Sequence, residues 1–165
     1  MIDLAQSRVD VAVTATMDSF VAHLTQYQPS VVLASDGSVR SASLVFNFRD
    51  LITGKPARDK AMYEWEQIDA FPEGRFVLSA LKPAADNQFT AIGRLTFHGV
   101  ARDVQFPVSL SHEGTRLAID GEATVDTREF GLPVIRKFGV LKVNPVVRVR
   151  FHLQGAAAGH LEVAL

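Results

Sequence analysis

The chain has 165 residues, no cysteine, and 17 Lys plus Arg against 18 Asp plus Glu, a formal net charge of -1. That length suits one domain able to bury a substantial core. The missing thiols exclude disulfides, Cys-type zinc sites, iron–sulfur clusters and thiolate nucleophiles, and the balanced charge argues against a nucleic-acid binder, which carries a basic excess.

Met1 to Arg8 hold neither a basic stretch nor an apolar stretch of the secretory kind, so a cytoplasmic location is expected, or a periplasmic one if a signal has been removed. Residues 7–16 then alternate Val9, Val11 and Val13 against Asp10, Ala12 and Thr14, the period of a half-buried antiparallel strand. Residues 27–34, with Val31, Val32 and Leu33, form a less regular strand. Asp36-Gly37 turns the chain into residues 41–48, where Leu44, Phe46 and Phe48 share one face.

Residues 57–67 break the period. Ala61, Met62, Trp65 and Ile68 recur at helical spacing, and Pro56 precedes them as a helix start allows. Pro72 and Gly74 end the segment. Five more alternating runs follow: residues 75–81, 88–97, 103–111, 116–125 and 147–153. His98-Gly99 and Glu113-Gly114 join the middle runs into a meander. Residues 127–144 are apolar without clean alternation. Residues 155–165, rich in Ala and Gly, end the chain as an edge strand or a tail. No run reaches the roughly 18 apolar residues of a spanning helix, and no repeat or linker divides the chain. The pattern predicts one all-β domain over residues 1–165, an antiparallel eight-stranded barrel with one short helix capping an end. Such a barrel is either filled by its own side chains or holds one small ligand, and strand count leaves both open.

Eleven Phe stand against two Tyr and one Trp. Phe46, Phe48, Phe76, Phe97 and Phe106 either fill the core or line a channel, since pockets are mostly apolar. Met62, Trp65, Ile68 and Phe71, with Phe130, Leu132, Ile135 and Phe138, form either a plug or a lid. Arg136, Lys137 and Lys142 cluster beside that loop, where they are either a solvated patch or a partner for a phosphate head group. Outward Val45, Val77 and Ile92 suit a two-fold homodimer, although single exposed aliphatics are ordinary. His23, His98, His112, His152 and His160 show no metal-ligand spacing, and no nucleophile elbow, phosphate loop or dinucleotide fingerprint occurs. The enzyme alternative is a small barrel isomerase or hydrolase acting on a hydrophobic substrate, with His98 or Asp126 as its base.

Gly93-Arg94-Leu95-Thr96-Phe97-His98-Gly99-Val100, followed by Arg102-Asp103-Val104, resembles the Gly-x-Leu-Thr-hydrophobic-His-Gly-Val stretch of the YceI-like family of lipocalin-like barrels. Asp126-Thr127-Arg128-Glu129-Phe130-Gly131 resembles its Asn/Asp-Arg-x-x-Phe-Gly stretch, and Thr53-Gly54 followed by Arg58-Asp59 resembles its helix entry. The likeness runs over residues 7–154. Three departures stand out. Ala61 replaces a frequent His, Glu64-Trp65-Glu66-Gln67-Ile68-Asp69 replaces Asp-Phe-Phe-Asp, and Arg128 comes one position late.

The resemblance implies a lipocalin-like barrel around an elongated apolar interior, and non-catalytic binding or transport of a long-chain lipid such as an isoprenoid, an isoprenoid quinone, or a fatty amide or acid. No cofactor beyond such a bound lipid is implied. The wall it implies comprises Phe46, Phe48, Met62, Trp65, Ile68, Phe76, Leu95, Phe97, Phe106, Ile119, Phe130, Leu132, Phe138, Val149 and Phe151, with Arg136 and Lys137 as head-group residues.

Overall fold

The computed structural model describes residues 1–137 and 141–156. In chain order the elements are β1 (Arg8–Val13), β2 (Phe20–Leu24), β3 (Gln28–Leu33), β4 (Val39–Asn47), β5 (Leu51–Ile52), α1 (Pro56–Glu66), β6 (Glu73–Ala85), β7 (Gln88–Phe97), β8 (Val100–Glu113), β9 (Arg116–Asp126), β10 (Arg136–Lys137), β11 (Leu141–Lys142) and β12 (Val146–Ala156). Ten of the strands form one curled antiparallel sheet in the order β3-β4-β6-β7-β8-β9-β12-β1-β2-β5, and β10 pairs with β11 apart from it. The result is a lipocalin-like half-barrel whose two edges are β3 and β5.

All eight expected strands are present, and the count rises to ten because β2 and β5 join the edge beyond β1. β2 is the sequence Phe20-Val21-Ala22-His23-Leu24, five residues with a small residue at its centre, too short and too weakly apolar to announce itself. It is a strand because β1 supplies a partner, with Val11 opposite Ala22 and Val13 opposite Phe20. β5, two residues long, exists only through pairing of Leu51 and Ile52 with Leu24 and His23.

Helix α1 lies across the end of the half-barrel that carries the β7–β8 turn. Pro56 occupies its first turn, where no backbone donor is missed. The Asp59 carboxylate accepts from the Thr53 backbone N–H at 2.8 Å and the Thr53 hydroxyl at 2.6 Å, fixing the entry. The Tyr63 hydroxyl donates to the Leu51 carbonyl at 2.8 Å, and Trp65 Nε1 donates to the Pro133 carbonyl at 2.8 Å. Gln67, left-handed at φ 61°, ends the helix.

The turn between β7 and β8 needs positive φ at both residues, and His98 adopts 54° where Gly99 adopts 70°. A non-glycine there costs about 1 kcal/mol. The His98 ring offsets that cost: Nδ1 lies 2.8 Å from the Phe130 carbonyl and Nε2 lies 2.8 Å from Gln67 Oε1. The histidine thereby ties the β7–β8 turn to the end of α1 and to the 3-10 turn Thr127–Phe130.

Around that tie the interior is solid. Phe130 stacks on Phe97 with ring centroids 4.2 Å apart, Phe97 meets Phe48 at 5.8 Å, and Ile68 and Leu132 are buried beside them. Glu66 is fully buried in the last turn of α1, and neither of its carboxyl oxygens has a hydrogen-bond partner among the described residues. Desolvation pushes this carboxyl up to about 7.

Candidate functional site

Beyond that packed region the sheet surrounds a cavity of about 1000 Å³, at the top of the range of about 300–1,000 Å³ usual for ligand pockets. Its wall is made by strand alternation. Val9, Val11 and Val13 face it from β1, and Val147, Val149, Phe151 and Leu153 from β12. At about 3.3 Å per residue, the β12 stripe alone spans roughly 20 Å. Leu81, Leu110 and Ile119 line it from β6, β8 and β9, while Ala57, Arg58, Ala61, Met62, Glu64 and Trp65 roof it from α1.

The hollow persists because its largest rings lie back against the sheet. Phe46 sits opposite Gly74, and Phe151 opposite Gly121, in the strand register. Phe76 is diagonal to Gly93. A Cβ on any of these glycines would collide with the ring above it. The glycines therefore admit the phenyl groups into the plane of the wall instead of the centre of the barrel.

Of the residues implied as wall, the cavity is lined by Phe46, Phe48, Met62, Trp65, Phe76, Leu95, Phe97, Phe106, Ile119, Val149 and Phe151. Ile68, Phe130 and Leu132 are not on it. They belong to the solid packing at the end of α1, where all three are buried in the hydrophobic core. Phe138 lies outside the described residues, as do residues 157–165, including His160, and the side chain of Lys137. Arg136 reaches the cavity, and Lys142 is exposed opposite it in the β10–β11 register.

The alternative bases do not meet the cavity. His98 spends both ring nitrogens on Phe130 and Gln67. Asp126 accepts from Arg128 in two side-chain hydrogen bonds, at 3.0 and 2.8 Å, and the guanidinium holds the carboxyl below its ordinary range. Neither is among the lining residues. His23 pairs with Asp10 at 2.6 Å and His152 with Asp120 at 2.7 Å, and neither histidine lines the cavity either. Val77 is exposed on the outer surface, and Val45 and Ile92 are half-buried. Among the described residues, no cluster of three or more His, Cys, Asp or Glu is placed to hold a metal ion, and no helix is long and apolar enough to cross a membrane.

Sequence reasoning does not select the polar mouth. Asp18, in the β1–β2 loop, meets Arg58 of α1 at 2.6 Å, and the Arg58 guanidinium lies 4.2 Å from the centroid of the Phe20 ring. All three residues line the cavity. Loop residue 18 and helix residue 58 are brought together only by the unannounced strand β2, so no local pattern points to them. The valines of β1 were visible as an alternating face but carried no sign of which side was hollow.

The family model of the YceI-like domain matches residues 1–155. The chain belongs to the YceI-like family. A UPF0312 protein of Pseudomonas fluorescens (strain SBW25) is 29% identical over 102 residues, covering 57% of this chain and 50% of that protein. Another from Pseudomonas syringae pv. syringae (strain B728a) is 28% identical over 90 residues, covering 50% and 47%. The YceI-like chain thus spans about half the length of the curated relatives it matches. Among solved structures, BcnA of Burkholderia cenocepacia superposes with a TM-score of 0.84 at 21% identity, covering 94% of this chain and 100% of that one. The YCEI protein of Campylobacter jejuni follows at 0.74 and 8%, covering 87% and 88%. A polyisoprenoid binding domain from Saccharophagus degradans gives 0.72 at 16%, covering 95% and 97%. At these identities the likeness is one of fold.

Proposed function

We propose that this YceI-like chain binds a long-chain apolar molecule in the half-barrel and shields it without transforming it. The ligand class is an isoprenoid, an isoprenoid quinone, or a fatty amide or acid. One observation carries the reading: a cavity of about 1000 Å³ whose wall is built from alternate apolar residues of successive strands. The likeness to a domain described as polyisoprenoid binding supports it. Burial contributes about 0.8 kcal/mol per methylene, so a tail of about fifteen carbons gains roughly 12 kcal/mol before the cost of association. That suffices for binding without a specific polar contact. The placement of His98 and Asp126 away from the wall supports the non-catalytic reading.

Native mass spectrometry after gentle purification tests the reading together with titration of retinol, a neutral fluorescent polyene. A co-purifying lipid mass, or retinol binding in the micromolar range or tighter, is expected. Protein that carries no lipid and leaves retinol fluorescence unchanged overturns it.

A further inference from the structure

The charged residues on the cavity wall, among those described, are Asp18, Arg58, Glu64 and Arg136. All four lie at the α1 end: two are on the helix, one is bonded to it, and Arg136 follows the Pro133 segment that Trp65 holds. Their signs cancel. Basic residues between 136 and 142, taken alone, suit a phosphate, but the acids Asp18 and Glu64 share the mouth with them.

Two arginines on the wall, Arg136 and Arg58, could offer an anionic head group a planar fork of donors, and Arg58 is the one carried by α1 itself. It is already engaged. Its side chain is only 20% exposed, its Nη2 donates to Asp18 Oδ2 at 2.6 Å, and its guanidinium rests on the Phe20 ring. An incoming carboxylate or phosphate would have to displace Asp18 or sit beside it, like charge against like. A neutral carbonyl, hydroxyl or amide meets no such conflict, since it can accept from a remaining Arg58 N–H while the ion pair stays intact.

Resting on the ligand-binding reading above, we propose that Asp18 sets head-group selectivity: by neutralising Arg58 at the mouth, it admits long chains ending in an uncharged hydrogen-bonding group over those ending in an anion. The residue acts through Arg58 and is a specificity determinant of the site.

The test holds the tail constant and changes the head. Octadecanamide, octadecan-1-ol, octadecanoic acid and octadecyl phosphate are compared by retinol displacement at pH 8 and low ionic strength, where screening is least. For the natural chain, the amide and alcohol are expected to bind about tenfold more tightly than the acid and phosphate. Asp18→Asn should tighten the two anions and shrink the preference to about threefold or less, and Asp18→Lys should invert it. Asp18 is 61% exposed, and unchanged thermal unfolding confirms that these variants fold. Anions that bind the natural chain as tightly as neutral ligands, or a ratio that Asp18 substitutions leave unmoved, overturn the proposal while ligand binding itself stands. If the chain takes up neither retinol nor any member of the series, the ligand-binding reading falls, and this one with it.

Discussion

Phe130 and Phe151 belong to the same fold and serve opposite ends. Phe130 stacks on Phe97 in the packed region beneath the end of α1 and is fully buried there. Phe151 lies over Gly121 with its other side toward an open hollow. At these two positions the difference lies in what the ring rests on: Phe130 stacks on another phenyl and closes one end, whereas Phe151 lies over a glycine and leaves the hollow open beside it.

The largest expected effect comes from breaking this contrast directly. Phe130→Ala should destabilise the chain by about 3–5 kcal/mol, because it opens a new void in close packing. Phe76→Ala, whose ring already borders empty space, should cost clearly less in the same denaturant titration. Equal losses would erase the distinction between the two regions. Gly121→Ala attacks the other side: the added methyl forces the Phe151 ring off the wall and toward the hollow. A cost of about 1–3 kcal/mol is expected, accompanied by weaker retinol binding. Unchanged affinity would show that this ring does not set the bore.

Glu66 sharpens the comparison through pH. Its carboxyl titrates at about 7 in the folded chain, against an ordinary value of 4.5. Both states hold the proton below that lower value. As pH rises from about 4.5 to about 7, the unfolded chain releases its proton first, so the folded state loses stability across that window and stays weaker above it. Glu66→Gln should remove most of this loss, a gain on the order of 2 kcal/mol at pH 8 after allowance for screening, with little effect at pH 4. Melting temperatures at the two pH values check it, and a variant that melts like the parent at pH 8 refutes it. At the small end, Trp65→Phe deletes the hydrogen bond to Pro133 and should cost about 1 kcal/mol while speeding retinol release in stopped-flow exchange. The exposed pair Arg94–Asp103 at 2.7 Å marks the floor: Asp103→Asn should change stability by less than about 1 kcal/mol.

The wall was legible where alternation was long. Residues 147–153 declare their inward face through Val147, Val149, Phe151 and Leu153, and the Leu95-Thr96-Phe97-His98-Gly99 stretch announces both its strand and its turn. The plug was not separable from the wall, because Ile68, Phe130 and Leu132 are as apolar as the residues that line the cavity. Only their neighbours, the His98 tie and the stacked Phe97, differ. Glu66 stands in the segment that departs from the family's aromatic pair, yet nothing in its sequence shows that it is buried. The mouth was hidden for a different reason. Asp18 and Arg58 are distant in sequence and meet through tertiary contacts alone.

Strand β1 joins the sheet through β12, and Ser7 bonds Gln154 across 147 positions of chain. The hairpins from β6 to β9 need no such reach, since each pairs with its immediate neighbour in sequence. Loop-closure entropy therefore orders assembly: the central meander can form early and locally, and β1 with β2 must arrive last. Refolding should be slow for a domain of this size, because docking β1 against β12 closes almost the whole chain into one loop.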